Sequence, residues 1–154
     1  MKAAVRRVVE AFAEAGVLVQ PVEFEQSTRT AEDAARALGV EVGQIVKSLV
    51  FVASGDPLLV LVSGSNRASA AKLEAILGGA VARADAEVVR QATGYTIGGV
   101  PPLGHAGQLR TLVDADLLGY DVVYGAAGTP NSVFPIEPTA LVAATGGEVA
   151  DVKE

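Results

Sequence analysis

The chain has 154 residues, half of them hydrophobic and 19% charged, enough apolar side chain for one filled core and too ordered a composition for a disordered chain. It has no cysteine and one histidine, which excludes disulfide frameworks, thiolate zinc sites, cysteine nucleophiles and histidine-rich metal centres. The net charge of −6 is uneven: residues 1–110 balance, while 111–154 carry one basic and seven acidic residues, so wrapping of a DNA duplex is disfavoured.

The N-terminal stretch places Val5, Val8, Val9 and Phe12 on one helical face and stops at Gly16, a pattern unlike a signal peptide. No apolar run approaches a membrane span, so the expectation is a cytoplasmic protein with no membrane partner. A short strand "PVEF" follows, then a helix over "STRTAEDAARALGV" with Thr30 as N-cap and Gly39 as its stop. Thr30 is read as that cap or as a pocket residue. The valine-rich run 45–53 and "LLVLVS" read as a hairpin joined by the four residues "SGDP". "GSNR" then breaks the run before an alanine-rich helix, with Ser65 or Asn66 as its expected cap.

A short strand "AVARA" leads to a helix from Asp85 to Gly94, and the long loop "YTIGGVPPLGHAGQ" comes next. The last third alternates strands and turns, "LRTLVD", "DVVYGAA" and "GTPNSVFPIE", and closes with a helix from Pro138 and a terminal "EVADV". Strands slightly outnumber helices, without strict βαβ alternation. That order predicts a single α/β domain of the mixed α+β kind over residues 1–154, with a curved, barrel-like mixed sheet surrounded by helices.

Three features bear chemistry. Lys47 lies in an apolar strand, and an unpaired buried ammonium is costly, so it either snorkels to water or faces a polar cavity. Gly98 and Gly99, followed by Val100, Pro101 and Pro102, form either a surface loop or a rigid ring of backbone N–H groups. His105 at the end of that loop is a hydrogen-bonding loop residue or a general base. Gly128 and Thr129 sit in a turn that is a plain strand connection or an anion nest. No Gly-x-Ser-x-Gly elbow, HExxH motif or phosphate loop is present.

Taken in order, the lysine strand after "TAEDAARALGV", then "TGYTIGGVPPLGH", the glycine turn and "TALVAATGGEVADV" resemble the YbaK-like aminoacyl-tRNA deacylases. This family includes the editing domain of bacterial prolyl-tRNA synthetases and its free-standing relatives. The resemblance runs from about Ser27 to Val152 and implies a compact α/β fold and hydrolysis of mischarged aminoacyl-tRNA. It assigns the functional lysine to Lys47, a carbonyl-holding backbone to Gly98 and Gly99 with Val100, Pro101 and Pro102, and the glycine turn to Gly128 and Thr129. Ser65 and Asn66 fall where relatives carry a polar loop beside the pocket. One branch of the family has a lysine where this chain has Thr129, which leaves the substrate branch open. The implied partners are the acceptor 3′ end of an aminoacyl-tRNA and a synthetase that delivers it; no cofactor or metal is implied. The alternatives are a non-catalytic nucleotide- or protein-binding module and a small-molecule esterase, both using the same pocket.

Overall fold

The computed structural model describes residues 1–154. Five α-helices, α1 (Ala3–Glu14), α2 (Ala31–Leu38), α3 (Ala70–Leu77), α4 (Ala86–Thr93) and α5 (Pro138–Thr145), alternate irregularly with eight strands. The strands are β1 (Val22–Glu23), β2 (Val46–Ala53), β3 (Asp56–Ser63), β4 (Val81–Arg83), β5 (Arg110–Asp114), β6 (Val123–Ala126), β7 (Ser132–Ile136) and β8 (Glu148–Ala150). None of the helices is long and apolar enough to cross a membrane.

Local chemistry accounts for most boundaries. Thr30 Oγ1 accepts from Asp33 N at 3.1 Å and starts α2, and Gly39 ends it in the left-handed conformation. Asp85 does the same for α4, accepting from Val88 N at 2.9 Å. α3 departs from expectation: its cap is Ser69, which accepts from Lys72 N, rather than Ser65 or Asn66. The β2–β3 turn is also tighter than expected. Only Ser54 (φ +52°) and Gly55 (φ +82°) lie between the strands, so Asp56 and Pro57 belong to β3.

The single curved sheet of the sequence reading is divided in two. β4-β2-β3-β5-β8 is a mixed five-stranded sheet, antiparallel from β4 to β3 and parallel from β3 to β8. β1-β7-β6 is antiparallel. They meet at a parallel bridge, Ile45 to Tyr124, just before β2. β3 is central and covered on both faces. Leu59 and Leu61 join Val46, Val50, Phe12, Phe134 and Leu141 in the larger cluster, while Leu58, Val60 and Val62 join Phe51, Leu73 and Leu112. Each fully buried leucine contributes about 1.5–3 kcal/mol of burial free energy, so β3 anchors the domain.

β2 has uneven neighbours, and this creates the site. It pairs with β4 only from Phe51 to Ala53, and its link to β6 is the bridge at Ile45. Between those points the edge of β2 opposite β3 flanks an open space rather than another strand.

Candidate active site

That space is a cavity of about 340 Å³. Its walls are β2 from Val46 to Val50, the entrance to α2 from Thr28 to Ala31, Ile97, Gly98 and Val100 of the long loop, and Tyr124–Ala126 of β6. Lys47, Thr30, Gly98 and Val100 among the sequence candidates line it; Ser65, Asn66, Gly99, Pro101, Pro102, His105, Gly128 and Thr129 do not.

Lys47 is half-buried, on the β2 face opposite Ser48, with Val62 as its cross-strand partner. Its ammonium donates to the backbone carbonyl of Asn66, a partner that the sequence did not reveal. The loop supplying that carbonyl is held from below. Buried Asp114 accepts from Ser63 N at 3.0 Å and from Asn66 Nδ2 at 2.8 Å, and Asn66 Nδ2 also reaches Asp116 at 2.9 Å. Asn66 therefore acts through its main chain on Lys47 and through its side chain on the acids. Burial lowers the lysine pKa; Glu32 opposes that shift, and Arg67 and Arg83 add to it.

The glycine-proline loop has a specific internal geometry. Gly99 N–H donates to the Thr96 carbonyl at 3.0 Å, and the prolines carry no N–H. The expected ring of donors thus contracts to Gly98 and Val100, neither of which has an acceptor for its N–H within the protein. Gly98 has φ +93°, and a Cβ there would lie 2.5 Å from Arg29 Cγ, so only glycine lets the arginine stem cross this close. A Cβ on Gly99 would lie 3.2 Å from the Thr129 carbonyl carbon. Gly128 and Thr129 are thus a brace behind the loop, and Thr129 Oγ1 is spent on Asn131 and Ser132. Pro102 packs under Gly125, a cavity residue.

His105 faces elsewhere. It borders a second, open groove between residues 102–111 and 143–148. Its Nε2 lies 2.6 Å from the Pro101 carbonyl, and its ring meets Tyr95 edge-on at 6.5 Å. Tyr95 in turn donates to the Gly104 carbonyl at 2.9 Å, so both rings tie the loop down. Burial lowers the His105 pKa, while the Pro101 contact works against it.

Sequence reasoning missed Arg29 and Arg83, both on the cavity. Arg83 could have been found from its place at the end of a strand, but the fold alone brings Arg29 against Gly98. With Lys47 these arginines give the site three cations and one nearby acid, Glu32, an arrangement suited to an anionic ligand. No group of three metal-ligating side chains occurs anywhere in the chain.

A small α/β domain with two linked sheets and one cavity, lined by a lysine, two arginines and a glycine-proline loop with unpaired backbone donors, is the class that these observations define. Residues 25–144 match the aminoacyl-tRNA editing domain family, and the chain belongs to it. A crystal structure of a proposed trans-editing enzyme for prolyl tRNA synthetase superposes with a TM-score of 0.95 at 48% identity, covering 100% of this chain and 99% of that one. The uncharacterized protein YwhH of Bacillus subtilis (strain 168) is 33% identical over 120 residues, 77% of this chain and 76% of its own. A proposed Cys-tRNA(Pro)/Cys-tRNA(Cys) deacylase, EbsC of Enterococcus faecalis, is 28% identical over 125 residues, covering 80% of this chain and 76% of that protein.

Proposed function

We propose that this protein is a free-standing trans-editing hydrolase that removes a small, wrongly attached amino acid from a tRNA, with proline tRNA or a related tRNA as the carrier. The observation that carries the reading is that Lys47 lines the same small cavity as Gly98 and Val100, whose N–H groups have no acceptor within the protein. Unpaired backbone donors are suited to an oxygen on which negative charge develops, because they need no reorganisation as the charge appears.

In this mechanism water adds to the ester carbonyl carbon, and the carbonyl oxygen gains charge opposite Gly98 and Val100. The bond to the ribose oxygen then breaks, and that oxygen takes up a proton as the free amino acid departs. Lys47 leaves the Asn66 carbonyl for the terminal phosphate region or the ester oxygen of the substrate. Arg29 and Arg83 flank the path of the incoming backbone. No side chain is a nucleophile, and rate comes from positioning and electrostatics. The acidic body tolerates this because only the acceptor end enters, and a synthetase delivers the substrate. Such a second, size-selective site removes errors that a synthetase pocket cannot reject by binding alone.

The test is release of labelled amino acid from a mischarged tRNA by the purified protein. Binding without turnover would make the cavity a recognition module; turnover of simple esters without any response to tRNA would make it a general esterase.

A further inference from the structure

Of the 12 lysines and arginines, Lys2, Arg36, Lys72, Arg90, Arg110 and Lys153 form ion pairs with carboxylates, whereas Arg6, Arg7, Arg29, Lys47, Arg67 and Arg83 form none. Four of the unpaired six gather in one region. Arg29, Lys47 and Arg83 line the cavity, and Arg67 follows Asn66, whose carbonyl holds Lys47. Arg29 belongs to the loop side, its stem crossing Gly98. The other three follow β2. Lys47, Leu49 and Phe51 share one face of that strand. Arg67 stands near the Lys47 end, and at the other end Arg83 pairs in register with Phe51 and lays its guanidinium 5.5 Å from the ring centre. Lys47 and Phe51 are roughly 13 Å apart along such a strand. Arg67 does not line the cavity, yet its backbone is firmly mounted. Asn66 is tied to Asp114 and Asp116, and the Arg67 carbonyl accepts from Glu154 N at 2.8 Å. Two acids on that side are already neutralised, Asp116 by Lys153 and Asp151 by Lys72.

We infer that Arg67, Lys47 and Arg83 form a cationic track along β2 that carries the sugar-phosphate backbone of a single-stranded 3′ RNA end, with Arg67 holding a phosphate outside the cavity. The identity of the strand rests on the deacylase reading above. A guanidinium without a resident carboxylate is free to take two phosphate oxygens at once. Three cations on one line suit a few phosphates of a single strand. A duplex would need the broad basic face that a chain of net charge −6 lacks. The groove beside His105 offers no such track, because its one arginine, Arg110, is committed to Glu148.

The experiment measures binding of a fluorescein-labelled, uncharged RNA hairpin, with a short single-stranded 3′ tail or blunt, across a series of salt concentrations. Turnover of aminoacyl-tRNA and melting temperature are read on the same preparations. The parent should bind the tailed hairpin more tightly than the blunt one. Arg67→Gln should weaken that binding by about three- to tenfold and reduce the slope of log K against log salt by about 0.7, the share of one phosphate on a single strand. Adding Arg83→Gln should reduce the slope by about twice that. In turnover, KM should rise with kcat held within about twofold, the mark of lost binding rather than lost chemistry. The melting temperature should not change, because Arg67 is exposed and the variant keeps its carbonyl. No binding by the parent, equal affinity for the two hairpins, an Arg67→Gln slope equal to the parent's, or a loss confined to kcat overturns the track; release of amino acid in the same preparations leaves the deacylase reading standing. Tail-dependent binding that Arg67→Gln weakens as expected, without any turnover by the parent, supports the track and overturns the deacylase reading.

Discussion

Replacing Lys47 with methionine separates charge from shape at the centre of the site. Methionine keeps the apolar stem against Val62 and removes only the ammonium. Two stability effects oppose each other. The Asn66 carbonyl loses its donor, which costs roughly 1 kcal/mol for a half-buried acceptor that water can partly reach. Against this, burial holds the lysine pKa below its ordinary value, so keeping the group charged is itself unfavourable in the fold. The net change should lie within about 1 kcal/mol, or about 2–4 °C in melting temperature for a domain of this size. The pH dependence has a definite sign. A lysine with a lowered folded pKa weighs on the fold while charged, and that burden fades as pH rises through the lowered pKa toward 10.5. Lys47→Met should therefore compare best with the parent near neutral pH and lose its relative advantage in alkali. Deacylation should fall by ~10²–10³-fold, the size expected when one preorganised electrostatic partner is removed. Lys47→Arg should also be impaired, because a planar fork does not replace a compact charge held by one carbonyl. Folded Lys47→Met with parental activity would refute the role given to the ammonium.

Gly98→Ala should cost ~1–2 kcal/mol from its left-handed backbone and lose activity as the new methyl displaces Arg29, read by melting and by deacylation. His105→Ala should retain activity within about tenfold, since a general base would contribute ~10²–10⁴-fold and this ring points away from the cavity. The same variant should flatten a stability slope: with a folded pKa below 6.5, parent stability rises with pH across the window up to 6.5, and urea titrations at several pH values would show it. A chelator should leave the rate unchanged, because the chain offers no cysteine and a single histidine; loss restored by zinc would contradict the mechanism.

What was legible in the sequence was local. The Thr30 and Asp85 caps and the Gly39 and Gly94 stops depend on residues within a turn or two, and the observed α2 and α4 follow them. The hairpin turn was misjudged because Pro57 reads as a turn residue. In the fold Pro57 pairs with Val52 at a position where the strand directs its backbone nitrogen away from β2, and β5 pairing begins only at Leu58, so no ladder bond is lost. The cap of α3 was misplaced because residues 64–68 are fixed from a distance, by Asp114 under Asn66 and by the Ala68–Lys153 bridge. Lys47 stood out as a charge in an apolar strand, but its tie to Asn66 needed the tertiary structure. The loop 98–102 was visible as glycine and proline, whereas the commitment of Gly99 N–H to Thr96 was not.

One measurement bears most directly on the assignment: the first-order loss of ester from a single tRNA charged in turn with alanine, serine and phenylalanine, with and without the purified protein. A site that edits small, wrongly attached amino acids predicts accelerated loss of the two small groups and near-background loss of the phenylalanyl ester. No acceleration with any of the three, or equal acceleration of alanyl and phenylalanyl esters, would contradict a size-selective editing site at this cavity.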